Sequence, residues 1–166
     1  MSISSTELSR QEQAAIDAVR GWLVDQAQQL AVAVARSGSA TGLADEGSVE
    51  SAGLSQLSKA MEVAERSPSL QVLLNWLLYQ AARRASSGIW GARVTGRGQG
   101  SGDGLFAREV ERRLQSLRQR LSQQVPPERL EAVTMRCAAL FFGYLRRSMV
   151  AAALLDSAAQ AAGERR

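Results

Sequence analysis

Apolar residues recur at every third or fourth position along most of this chain, and that spacing constrains the fold more than any other sequence feature. Leu8, Ile16 and Leu30 belong to the first such series. An amphipathic α-helix buries a stripe of this period, whereas a half-buried strand alternates apolar and polar residues. No alternating segment and no internal repeat occurs in the sequence. The pattern therefore predicts an all-α bundle of about five helices.

The predicted helices form one domain, because 166 residues is the length of a single domain. Ser4 and Glu7 fit a capping box at the start of the first helix. The third helix, LQVLLNWLLYQAARR, is apolar nearly all round, so we expect it to be central and buried, or covered by a partner chain. The pair Pro126-Pro127 ends the fourth helix and begins the fifth. The five helices are predicted at residues 5–36, 54–66, 68–86, 105–124 and 127–159.

Two segments lack the helical pattern. Residues 37–53, SGSATGLADEGSVESAG, are small, acidic and glycine-rich, which predicts a linker. Residues 88–104 hold seven of the 14 glycines and predict a flexible loop between the third and fourth helices, with Trp90 exposed in it. This loop lacks the G-x-G-x-x-G spacing and the Gly-Lys-Ser/Thr sequence of nucleotide-binding loops.

The absence of histidine and the presence of one cysteine, Cys137, exclude several kinds of chemistry. Serine and cysteine hydrolases need an imidazole base, and His/Cys zinc sites need more than one such ligand. We therefore predict a non-catalytic protein without a metal or cofactor. Residues 1–13 do not resemble a signal peptide, and the longest apolar stretch, residues 70–79, is too short for a membrane span. The expected location is cytoplasmic.

The charge is divided unequally along the chain, although the net charge is only +4. Residues 1–65 carry four basic and nine acidic side chains, a balance of −5. Residues 66–166 carry sixteen arginines and seven acidic side chains, a balance of +9. A basic half indicates a polyanion or an acidic protein as partner.

Rows of arginine on the two last predicted helices identify a candidate phosphate-binding surface. At 100° per residue, Arg129, Arg136 and Arg147 lie within about 20° of one another on the fifth helix. Arg108 and Arg112 share a face of the fourth helix, and a hairpin would join both rows into one surface. The other interpretation is a solvated face that pairs with the acidic N-terminal half. The full candidate set is Arg83, Arg84, Arg93, Arg97, Arg108, Arg112, Arg129, Arg136, Arg146 and Arg147.

Residues 68–155 contain LQVLLNWLLYQAARR, the glycine loop, the basic helix and the closing CAALFFGYLRRSMVAAALL. In these features they resemble the small all-α subunits of type III CRISPR effector complexes, which act in antiviral defence. It implies a non-catalytic subunit present in several copies beside a guide–target RNA duplex, in contact with other subunits and with backbone phosphates but not with base sequence. The alternative is a helical homo-oligomeric adaptor that binds another protein through the third helix.

Overall fold

Six α-helices and one short 3-10 helix make up the part of the chain that the computed structural model describes, residues 8–37, 49–83, 88–94 and 104–163. Within those residues, the β contacts amount to one isolated bridge between Arg93 and Leu105. The predicted all-α fold is confirmed. The helices are α1 (Arg10–Arg36), α2 (Val49–Arg66), α3 (Leu70–Arg83), α4 (Phe106–Leu121), α5 (Pro127–Val150) and α6 (Ala152–Gly163), and the 3-10 helix is Ile89–Gly91.

The helix α5 is the centre of the fold, since each of the other five helices packs against it. α1 lies with its first turn beside the first turn of α5, where Glu12 forms an ion pair with Arg129. The chain that leaves α2 reaches the same end of α5, where the Leu70 N–H donates to Glu131 at 3.0 Å. Eleven residues of α5 are buried: Leu130, Val133, Thr134, Met135, Cys137, Ala138, Ala139, Phe141, Phe142, Leu145 and Ser148.

The third helix is peripheral, so the expectation that it is central is wrong. α3 buries a single stripe of Leu70, Leu73, Leu77 and Ala81. Its opposite side faces solvent, with Val72 47% exposed and Tyr79 57% exposed. The prediction failed because Val72 and Tyr79, which lie outside the stripe, are exposed, whereas Leu74 and Trp76 are only partly buried against the core. The second possibility, a partner chain over this side, stays a prediction.

Trp90 is buried, so the prediction that it is exposed in the glycine-rich segment is wrong. Its side chain is 1% exposed. Its ring centroid lies 5.5 Å from that of Phe106, 6.0 Å from Trp76 and 6.2 Å from Phe142. These rings bring together α3, α4 and α5. We call Trp76, Trp90, Phe106 and Phe142 the aromatic cluster.

Backbone pairing closes the two ends of the glycine-rich segment. The Val94 N–H donates to the Gly104 carbonyl at 2.6 Å, and the Phe106 N–H donates to the Ala92 carbonyl at 2.8 Å. Gly104 has φ +70°, a left-handed conformation that favours glycine. The segment is therefore anchored at residues 88–94, while residues 95–103 lie outside the described part of the chain.

The first two helices differ from the prediction at their N-terminal ends. Ser4 and Glu7 lie outside the described residues, and α1 has a capping box formed by Ser9 and Glu12. α2 begins at Val49, so the last five residues of the predicted acidic linker 37–53 are helical, and residues 38–48 lie outside the description. Gly53 is buried within α2. Glycine disfavours a helix by about 1 kcal/mol, and tertiary packing overrides so weak a preference.

The fifth predicted helix is two helices in the structure. α5 ends at Val150, and the axis beyond the break, from Leu154, is turned by 79°. No glycine or proline occurs at this position, so no local signal in the sequence predicts the break. The turn brings α6 against α1, where Arg36 and Asp156 form an ion pair at 2.6 Å and Ala152 is buried.

We predict that Trp90→Ala destabilises the fold by about 3–5 kcal/mol, because it empties the middle of the aromatic cluster. Urea denaturation followed by circular dichroism measures this loss. Tyr79→Ala is the control, since a side chain that is 57% exposed contributes little. Equal, small losses for both variants would contradict the packing of Trp90.

Candidate nucleic-acid interface

The candidate arginines separate into three groups when they are placed on the fold. Arg84 and Arg97 lie outside the described residues. Arg108, Arg112 and Arg129 form ion pairs with carboxylates of this chain. The remaining five, Arg83, Arg93, Arg136, Arg146 and Arg147, are exposed.

The α4 arginines have acidic neighbours on their own helix. Arg108 pairs with Glu111 at 2.7 Å, and Arg112 pairs with Glu109 at 2.9 Å. Arg113 reaches the other oxygen of Glu109 at 2.8 Å. Pairs of this spacing on an exposed helix contribute only about 0.3–0.5 kcal/mol each. The two carboxylates thus compensate part of the positive charge of this row, which lowers its attraction for a polyanion.

Arg129 belongs to the arginines that form ion pairs, and its pair connects two helices, α5 and α1. Its Nε donates to a carboxylate oxygen of Glu12, whose side chain is only 4% exposed. The second oxygen of Glu12 accepts from the Ser9 N–H at 2.7 Å, and the Ser9 hydroxyl accepts from the Glu12 N–H at 3.1 Å. For this arginine the structure supports the other interpretation, pairing with the acidic N-terminal half.

The same network shifts the pKa of Glu12. The hydrogen bond from Arg129, followed by that from the Ser9 backbone, holds the pKa of this carboxyl below its ordinary value of 4.5, against the opposing effect of burial. The carboxylate also raises the pKa of Arg129. Both shifts favour the charged forms that make the contact.

Glu131 provides a second electrostatic connection, between α5, α4 and the start of α3. It accepts from Arg118 Nε at 2.6 Å and from the Leu70 N–H at 3.0 Å. Burial acts to raise the pKa of Glu131, but the Leu70 N–H and the Arg118 guanidinium outweigh it, and the net pKa is lowered. The sequence pattern gives no indication of this role, because it does not show which helices lie beside Glu131.

Arg136, Arg146 and Arg147 occupy the solvent-facing side of α5. Within the described residues, none of them forms an ion pair. The guanidinium of Arg147 lies over the ring of Tyr144, 5.1 Å from its centroid. Such a contact orients the guanidinium while leaving its N–H groups available for an anion. We call these three arginines the α5 arginine group.

Arg136 and Arg147 also line an open groove of about 1030 Å³, whose walls are α1 and α2 and whose floor is the exposed strip of α5. Arg20 of α1 lines the groove too, and it pairs with Asp17 at 3.0 Å. Arg20 was not predicted because it lies in the acidic half. We call this feature the α1–α2 groove.

The five arginines expected on one surface are not brought together. α4 contributes no residue to the α1–α2 groove, because α4 packs against the buried part of α5. Arg108 and Arg112 face away from the core on α4, and Arg129 is engaged with Glu12. A hairpin makes two helices antiparallel, but it does not determine which sides of them share a surface.

Metal binding and thiol chemistry find little support in the described residues. No group of three or more potential ligands occurs there. Cys137 is fully buried, and burial raises the pKa of its thiol to about 12. The thiolate, which is the reactive form, is therefore scarce near neutral pH.

Comparisons with protein-family models, curated proteins and solved structures found no match for this chain. Among the described helices, none is by itself long and apolar enough to cross a membrane; α5 and α6 reach that composition only when counted as a bent pair.

We predict that Glu12→Gln costs about 1.5–3 kcal/mol at pH 7, the range for hydrogen bonds to a charged group. The pKa of Glu12 is lowered in the folded state, so its contribution is complete above the ordinary pKa near 4.5 and is lost as the pH falls through the folded pKa. The difference between wild type and variant should therefore shrink below pH 4.5. Urea titrations from pH 7 to pH 3 measure it.

Asp17→Asn is the matched control for this prediction, because Asp17 is 57% exposed and pairs only across one turn of α1. Its cost should stay within about 0.5 kcal/mol. A constant difference between wild type and Glu12→Gln across the whole pH range would contradict the assigned role of Glu12.

Proposed function

We propose that this chain is a non-catalytic protein that binds the RNA backbone without reading sequence, as a small subunit of a type III CRISPR-like ribonucleoprotein. The observation that carries the proposal is the α5 arginine group: three exposed arginines on the central helix that have no carboxylate partner among the described residues. The membership in an effector complex rests on the resemblance of residues 68–155 to such subunits.

The geometry of the α5 arginine group supports contact with phosphates in particular. Arg136 and Arg147 are eleven residues apart, or roughly 16 Å along the helix axis. A guanidinium binds phosphate through two parallel hydrogen bonds. Residues on a rigid central helix keep this separation fixed, which suits a repeating backbone.

A second candidate function, protein binding through α3, is favoured by a different observation. Val72 and Tyr79 are exposed on the outer side of α3. Beside them, Leu74 and Leu78 line an open groove of about 840 Å³ between α3 and α4. An exposed apolar area rimmed by polar groups is typical of a protein interface. This is the adaptor function, with self-association or another subunit as partner.

We predict that Arg136→Gln/Arg147→Gln weakens binding to all RNA sequences alike. The slope of log affinity against log salt should fall by roughly 0.7–0.9 for each lost phosphate contact. Fluorescence anisotropy with labelled RNA from 50 to 200 mM salt measures both quantities. The melting temperature should remain that of the wild type, since neither arginine forms an ion pair in the described residues.

Arg108→Gln/Arg112→Gln is the matched control, with the same change of charge on α4. It should alter the salt slope less, because those arginines already have carboxylate partners. If the two double variants bind RNA with the wild-type affinity and slope, the nucleic-acid proposal fails.

We predict that Val72→Ser/Tyr79→Ser leaves RNA affinity unchanged and abolishes any self-association of the purified chain. Both side chains are exposed, so the monomer should remain folded. Sedimentation velocity across protein concentration measures the association. An association that survives this change does not use the outer side of α3.

A further inference from the structure

The α1–α2 groove combines an apolar floor with charges that differ at its two ends. Ile16, Met61 and Leu140 supply apolar surface, and Gly143 leaves the floor open. A Cβ added at Gly143 would meet the Met61 sulfur at 3.7 Å, an ordinary contact distance. A methyl group therefore fits at this position.

The charges of the groove are arranged along α5. Glu128 lies in the first turn of α5 and Arg147 in its last turn, with Arg136 between them. Glu65 of α2 and Arg20 of α1 also line the groove. An anionic ligand is thus attracted to one part of the groove and repelled from the other, which limits the length of the ligand that fits.

The apolar floor distinguishes between the two forms in which RNA can meet these arginines. In a duplex the faces of the bases are stacked inside, so a protein meets sugars, phosphates and base edges, and the apolar floor between Arg136 and Arg147 would have no apolar partner. An unpaired strand exposes the faces of its bases, which pack on aromatic and apolar side chains while basic side chains hold the phosphates. Only the unpaired strand uses both features of the groove.

We propose that the basic end of the α1–α2 groove binds a short unpaired segment of RNA, with the phosphates on Arg136 and Arg147 and a base against the floor at Leu140 and Gly143. This inference rests on the proposed RNA-binding function and names the form of RNA that the same surface takes. The acidic end, at Glu128, excludes the strand from the rest of the groove.

The test compares three labelled probes by fluorescence anisotropy at equal salt: a 12-nucleotide oligouridine, the same strand with abasic sites, and a 12-base-pair RNA duplex. The oligouridine should bind about tenfold more tightly than either of the others, on the scale of one base contact. Gly143→Leu, which fills the floor without changing charge, should remove this advantage and leave the salt slope unchanged. Leu140→Gln, which makes the floor polar, should act in the same direction.

Gly21→Leu is the matched control, because a Cβ at Gly21 of α1 has no atom within 4 Å. It should keep the preference for oligouridine. Equal affinities for the three probes, with Gly143→Leu and Leu140→Gln without effect, would overturn the unpaired-strand inference. The proposed binding of the RNA backbone would still be supported if Arg136→Gln/Arg147→Gln weakened the binding of all three probes.

Two further outcomes would also overturn the inference. If none of the three probes binds at 50 mM salt, the proposed function fails and the inference fails with it. The other outcome is that an amphipathic peptide with acidic residues binds the wild-type chain and binds Gly143→Leu more weakly, while the affinity of all three RNA probes is the same for both. In that case the groove binds a protein partner.

Discussion

Burial of α5 is the constraint on which the rest of the structure depends. Eleven of its residues are inside the protein, and every other helix packs on it. A helix so enclosed keeps only part of its surface in contact with water, and one such part is the floor of the α1–α2 groove. The charged side chains on this exposed surface of α5 are therefore held at fixed distances from one another along the helix axis. The positions of Arg136 and Arg147 thus follow from hydrophobic packing, and the arginines themselves contribute little to the stability of the fold.

The separation of charge along the sequence is partly used inside the protein. Arg129 of the basic half pairs with Glu12 of the acidic half and joins α5 to α1. The pair between Arg36 and Asp156 joins α1 to α6 with the charges the other way round. Glu12 is almost fully buried, and a buried carboxylate without a partner would be costly. The acidic half therefore needs some of the basic half for folding, and the surplus of arginine available to a ligand is smaller than the sequence count indicates.

The helices were predictable from the sequence, because an amphipathic period is a local property that each segment carries by itself. The burial of Trp90 was not, since it depends on Trp76, Phe106 and Phe142, which come from three separate helices. The break after Val150 depends in the same way on contacts with α1.

The candidate site was predictable in part. The periodicity identified the exposed row with Arg136 and Arg147, but it does not show which carboxylate faces Arg129 or which helix lies next to Arg147.

Two kinds of arginine can be distinguished in this fold by what surrounds the guanidinium. Arg129 meets a buried carboxylate, and its charge is already compensated before any ligand arrives. Arg147 lies over the Tyr144 ring, which attracts a cation but does not neutralise it. A phosphate that approaches Arg129 would have to displace Glu12 and leave that carboxylate buried without its partner, whereas a phosphate at Arg147 displaces only water. Whether an arginine on this surface can bind a phosphate thus depends on the groups around its guanidinium. The row of arginines predicted from the sequence contains both the compensated and the uncompensated kind.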